Sequence, residues 1–112
     1  FIDPDLRQIE AAARSGAPVI ELHTGVYFQE PDGAQREQEL QRLREAARFG
    51  IGAGLEVHAG HGLNYHNVGP VAAIAEINEL NIGHAIVAQS LFTGMVAAVA
   101  EMKRLIRMAR TP

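Results

Sequence analysis

Ten residues concentrate the chemistry of this sequence: His58-Ala59-Gly60-His61-Gly62-Leu63-Asn64-Tyr65-His66-Asn67. Three histidines, two glycines and two asparagines fall in that stretch, directly after the apolar run Leu55-Glu56-Val57. Histidine is the side chain that gives and takes protons near neutral pH. Glycine lets a backbone approach a ligand and present its N–H groups with no Cβ in the way. A glycine-framed histidine just past a strand end suits proton transfer on an anionic substrate; the plainer reading is a polar loop with glycine turns. Further along, Asn81-Ile82-Gly83-His84-Ala85-Ile86 repeats the theme, an apolar run followed by a Gly-His pair. Two successive strands ending in His-Gly and Gly-His predict one shared site at an edge of a sheet.

A carboxylate joins these candidates. Glu21 lies in the strand-like run Pro18-Val19-Ile20-Glu21-Leu22-His23, which Thr24-Gly25 ends. A lone carboxylate in an apolar strand is costly unless it is paired or used, so Glu21 is read as functional rather than paired to a basic side chain. Strand side chains alternate, which puts His23 on the face of Glu21 in a supporting role. His58-x-x-His61 with His66 raises the question of a metal. The spacing is not that of the helical zinc motif and the chain has no cysteine, so no metal is expected. His58 is given a packing or loop role, and His66 and Asn67 are expected to fix the loop by hydrogen bonds to its backbone.

The elements that must position these residues are read from periodicity. Phe1-Ile2 reads as a strand end, and Asp3-Pro4 should open a helix, Asp as N-cap and Pro at the first helical position. Leu6, Ile9, Ala12 and Ala13 form its stripe and Ser15-Gly16 its stop. Val26 to Gly33 reads as irregular, with Pro31-Asp32-Gly33 a turn signal. A long helix is expected from Ala34 to Phe49 on Leu40, Leu43, Ala46 and Ala47, with Gly50 after its end and its charges on a solvated face. Leu55–Val57 is the next strand, and Val68 to Ala75 a short helix with Pro70 in its first turn. For the segment after Ala75, periodicity alone leaves two readings. Either Ile82 to Val87 is a strand, or Leu80-Asn81-Ile82 is, with Gly83-His84 opening a helix through Ser90-Leu91. The last helix, about Gly94 to Met108, should turn Val96, Val99, Met102 and Ile106 inward and end on basic residues that complement its dipole.

With 112 residues there is room for one small domain. Hydrophobic residues make up 47% and aromatic ones only 5%, so aliphatic side chains must build the core. The net charge of −3 gives no basic footprint for nucleic acid or an acidic membrane surface. No apolar run reaches the roughly 18 residues of a membrane span, and no signal-peptide pattern precedes the first helix, so a soluble, cytoplasmic protein is expected. The start at Phe1-Ile2-Asp3, with no methionine, reads as a fragment. Strands alternate with helices throughout, which predicts a parallel sheet with helices outside, part of a larger assembly such as half a barrel.

These stretches resemble the pyridoxine 5′-phosphate synthase family. The resemblance rests on Phe1-Ile2-Asp3, Ile20-Glu21-Leu22-His23-Thr24-Gly25, Ala59 through Val68, Glu79 through Ile86, and Ala98-Val99-Ala100-Glu101-Met102-Lys103-Arg104, in order and spacing. It implies an α/β fold, the C-terminal half of a (β/α)8 TIM barrel. Residues 1–112 would form a single partial domain from the end of the fifth strand through the final helix. The activity implied condenses 1-deoxy-D-xylulose 5-phosphate with 3-amino-2-oxopropyl phosphate, giving pyridoxine 5′-phosphate, inorganic phosphate and water in vitamin B6 biosynthesis. The resemblance implies neither metal nor organic cofactor, and a homo-oligomeric assembly. The first four strands and their acid/base residues lie outside this stretch, so the segment alone is expected to be inactive.

Matched residue by residue, His61 corresponds to the family's proton donor and Glu21 to a transition-state-stabilising glutamate. Gly62, Gly83 and His84 correspond to phosphate-binding positions. Phosphate sites of such barrels commonly sit after the seventh and eighth strands at a helix N-terminus, which selects the strand ending at Ile82 and the helix opening at His84. Two other readings use the same features: a different phosphosugar lyase or isomerase on this barrel, and a non-catalytic half-barrel that binds phosphorylated ligands.

Overall fold

The computed structural model describes residues 1–30 and 33–111. Its centre is a three-stranded parallel sheet, β1 (Val19–His23), β2 (Glu56–Gly60) and β3 (Ile77–Asn81), in that spatial order. Ile2 adds one parallel bridge beside Leu22, so the chain enters alongside β1. Helices α1 (Leu6–Arg14), α2 (Gly25–Gln29), α3 (Ala34–Gly52), α4 (Val68–Ala72), α5 (His84–Thr93) and α6 (Met95–Arg110) connect and flank the strands. This is the α/β alternation expected from the sequence.

Each strand has two unlike faces. Ile20 and Leu22 of β1, Val57 and Ala59 of β2, and Ile77 of β3 are buried in one core with Ile9 of α1 and Leu40, Leu43, Ala46 and Ala47 of α3. Fully burying one aliphatic side chain of this size is worth about 1.5–3 kcal/mol, so this layer fixes which way the strands face. The opposite face carries Glu21 and His23 of β1 and Glu56 and His58 of β2, and Glu21, His58 and Glu79 lie in one row of the register.

Several boundaries differ from those read in the sequence. The α1 cap is Asp5, not Asp3: its carboxylate accepts the Arg7 N–H at 2.8 Å, while Ile2 is still bonded to β1 and the chain needs Asp3-Pro4 to leave the sheet. Residues 26–29, read as irregular, belong with Gly25 to α2, which is too short to show a period. The expected turn at Pro31-Asp32 lies outside the described residues. Gly50 does not end α3 but sits buried within it, and a Cβ there would come within 2.8 Å of Val57 Cγ2. The glycine lets α3 pack against the sheet.

The strand read as Leu55–Val57 runs instead from Glu56 to Gly60, so His58 belongs to the sheet and not to the loop. It stands between two carboxylates, Nε2 2.8 Å from Glu56 and Nδ1 3.2 Å from Glu79. The third strand runs from Ile77 to Asn81, starting earlier than the Leu80-Asn81-Ile82 expected and stopping short of Ile82, and α5 opens at His84 as in the second of the two readings. On α6, Ala98 and Met102 are buried, whereas Val96 is 86% exposed and Val99 is exposed too. The helix packs on α4 and α5, and its buried stripe is turned by about one position because Ala98 faces the loop, where its carbonyl accepts the Tyr65 hydroxyl. The basic end acts as more than a dipole complement: the Arg110 guanidinium donates to the carbonyls of Ala75 and Ile77 at the start of β3. Among the described residues, no helix is long and apolar enough to cross a membrane.

Candidate active site

Glu21, His61, Gly62, Gly83 and His84 all line one cavity of about 600 Å³ at the C-terminal ends of the strands. That volume suits a small ligand, and in a parallel β/α sheet this end is where ligands bind. Phe1, Phe28, Asn64 and Asn81 complete much of its wall.

Glu21 reaches the cavity across β2. Gly60 is its register neighbour but one, and a Cβ on Gly60 would collide with Glu21 Oε2. The bare backbone of Gly60 is therefore what the carboxylate lies over. The rings of His23, His61 and Phe1 cluster together, with centroids 4.7 Å apart for His23 and His61, 4.6 Å for His23 and Phe1, and 6.3 Å for Phe1 and His61. The Gly25 N–H donates to His23 Nδ1 at 2.8 Å. A neutral ring engaged this way carries its own proton on Nε2. His23 thus packs beside the loop histidine, on the strand face it shares with Glu21.

The loop after β2 is held at many points. His61 has φ 89° and Gly62 φ 78°, both in the left-handed region. A Cβ on Gly62 would also lie 2.5 Å from the Phe28 ring, so both conformation and space call for glycine. Asn64 Oδ1 accepts the N–H groups of His66 and Asn67 at 2.8 and 3.0 Å. Asn67 Oδ1 accepts the Asn64 N–H at 2.7 Å, and its Nδ2 donates to the Gly62 carbonyl at 3.2 Å. The Tyr27 hydroxyl donates to the Asn67 carbonyl at 2.8 Å, so α2 grips the loop from outside. Asn67 fixes the loop as expected. His66 contributes its backbone N–H, and Asn64 supplies the side chain.

The end of β3 is plain by comparison. Gly83 is the N-cap of α5 with φ −115°, no side chain caps the helix, and its first turn holds no acidic residue. The first N–H groups of a helix have no internal partner, and here they are free to meet an anion at the cavity. A Cβ on Gly83 would meet nothing within 4 Å.

Sequence reasoning missed Thr24, Tyr27, Phe28 and Asn64. The Asn64-x-x-Asn67 spacing is a local capping signal that could have found the last; the others act through contacts distant in sequence.

The chain matches the family described as "Pyridoxal phosphate biosynthesis protein PdxJ" over residues 1–108. It is 57% identical over 110 residues to the pyridoxine 5′-phosphate synthases of Legionella pneumophila strains Corby and Lens, covering 98% of this chain and 44% of each relative. It thus spans less than half the length of the curated relatives it matches. The family is a TIM barrel, and a parallel sheet with outer helices is how part of such a barrel is built. Sheet, strand-end cavity and family match agree: this chain belongs to the PdxJ family of pyridoxal phosphate biosynthesis proteins.

Proposed function

We propose that this chain supplies the phosphate-binding half of a pyridoxine 5′-phosphate synthase active site. The enzyme would condense 1-deoxy-D-xylulose 5-phosphate with 3-amino-2-oxopropyl phosphate into pyridoxine 5′-phosphate, with release of inorganic phosphate and water. The observation that carries this reading is the convergence of both Gly/His strand ends and Glu21 on one cavity, in a chain this close to named synthases.

In this reading His61 gives a proton to a departing oxygen. It needs hydrogen-bond reach, which its exposed place on the cavity wall offers. Glu21 stabilises the transition state from the cavity wall, its carboxylate facing the positive charge that develops on the attacking nitrogen. Gly62, Gly83 and His84 bind phosphate, the last two through the unpartnered N–H groups opening α5. Ring closure forms its bonds by carbonyl condensation and loses water and phosphate by elimination, and the proton transfers these steps need can be served by histidine and glutamate without a metal or organic cofactor. A homo-oligomer is part of the same reading, tested by sedimentation.

The test is turnover by a synthase of full family length that contains these residues, given both phosphorylated substrates. Formation of pyridoxine 5′-phosphate is expected. Ligand binding without turnover would favour a binding module, and neither binding nor turnover would overturn the reading.

A further inference from the structure

His61 is the one non-glycine residue with positive φ among the described residues. Such a backbone is costly for a residue with a Cβ and persists where neighbours enforce it. The strand parity shows what the conformation achieves. Val57 and Ala59 point into the core, and a strand continuing regularly past Gly60 would send residue 61 the same way. His61 is instead exposed, its ring tilted at 45° to that of His23 on the opposite face of the sheet, and it lines the cavity.

The enforcing group is Thr24. It is wholly buried at the end of β1, and its hydroxyl lies 2.8 Å from the Gly60 carbonyl oxygen and 2.6 Å from that of His61. Its N–H donates to the Gly60 carbonyl as well, at 2.9 Å. Successive carbonyls of a strand point to opposite sides, so two of them can meet one hydroxyl only if the chain turns between them. The turn is at His61. We propose that Thr24 is a positioning residue: its N–H holds the Gly60 carbonyl, its single hydroxyl proton goes to the His61 carbonyl, and the turn between them swings the His61 imidazole across the sheet into the cavity. The catalytic side of this inference rests on the reading that His61 donates the proton.

The experiment uses a synthase of full family length containing these residues, with Thr24→Val to delete the hydroxyl and Thr24→Ser to keep it. Thr24→Val is expected to lower kcat about 10–100-fold per folded molecule with KM little changed, the usual cost of a misplaced catalytic group. Thr24→Ser should restore most of that activity. A second readout reports on the backbone itself. With Thr24 present, His61→Gly should melt above His61→Ala by about 2 °C or more, because glycine alone is unstrained at this φ. With Thr24→Val the loop is free to relax, and the difference should vanish. Parental kcat in Thr24→Val, or an undiminished melting difference, would overturn the assignment. A parent that fails to turn over its two substrates would instead sink the functional reading, and the melting difference would still decide the role of Thr24.

Discussion

The two strand ends that open on the cavity are built in opposite ways. After β2 the backbone is forced into the left-handed region at His61 and Gly62, pinned by Thr24 and Asn67 and packed against Phe28. After β3 the backbone at Gly83 is relaxed, uncapped and surrounded by open space. A side chain that must be aimed needs its backbone over-determined, and the strain is offset by buried hydrogen bonds around it. An anion that must be met by N–H groups needs only that nothing else occupies them. Under the proposed function, the difference suits an aimed proton donor at the first end, where Gly62 adds a backbone contact to phosphate, and an open helix start for phosphate at the second.

The sharpest way to break this division is to remove each end's key group in a synthase of full family length. His61→Asn should cut turnover by roughly 10²–10⁴-fold with little change in KM, the range for one acid/base group. His58→Asn is the matched control. His58 is held between Glu56 and Glu79 within β2, so its loss should lower stability while turnover per folded molecule falls less than about tenfold. If His58→Asn were the more damaging to kcat, the acid would be misassigned.

Thermal melting separates the two glycines. Gly62→Ala must adopt a positive φ and displace the Phe28 ring, and should lose about 1–3 kcal/mol. Gly83→Ala needs neither, and should melt with the parent. Equal losses would mean that the two ends are not differently built.

The smallest effect is expected far from either end. On α6 a hydrogen bond from Arg104 holds the Glu101 carboxyl below its ordinary value. A lowered folded-state value gives stability that is present above the unfolded-state value and fades as pH falls through the folded-state one. The pair lies on the surface, so salt screens it. Glu101→Gln should leave both the neutral-pH melting temperature and turnover unchanged, and a loss of turnover would show coupling that the two-ended account lacks.

What was legible in the sequence divides along physical lines. Apolar periodicity named the strands and the longer helices, and residue type drew attention to Glu21, the histidine loop and Gly83-His84, but it was the family resemblance that picked out His61 among the loop histidines. Thr24 was not legible: a threonine after a strand has no local signature, and its partners are 36 and 37 residues away. His58 was misplaced in the loop because a polar residue was taken as the end of the strand, although Glu56-Val57-His58-Ala59-Gly60 alternates as a half-buried strand should. Val96 and Val99 were turned inward by a helical period whose phase only the packing of Ala98 on the loop could set.

The division between the two ends is tested most directly by the affinity of inorganic phosphate and of pyridoxine 5′-phosphate for His61→Asn and Gly83→Leu variants, titrated side by side by calorimetry. A leucine side chain projecting from position 83 should bar phosphate from the N–H groups opening α5 and weaken both ligands about 10–100-fold, while His61→Asn binds them within a few-fold of the parent. Tight binding by Gly83→Leu together with weak binding by His61→Asn would contradict the account.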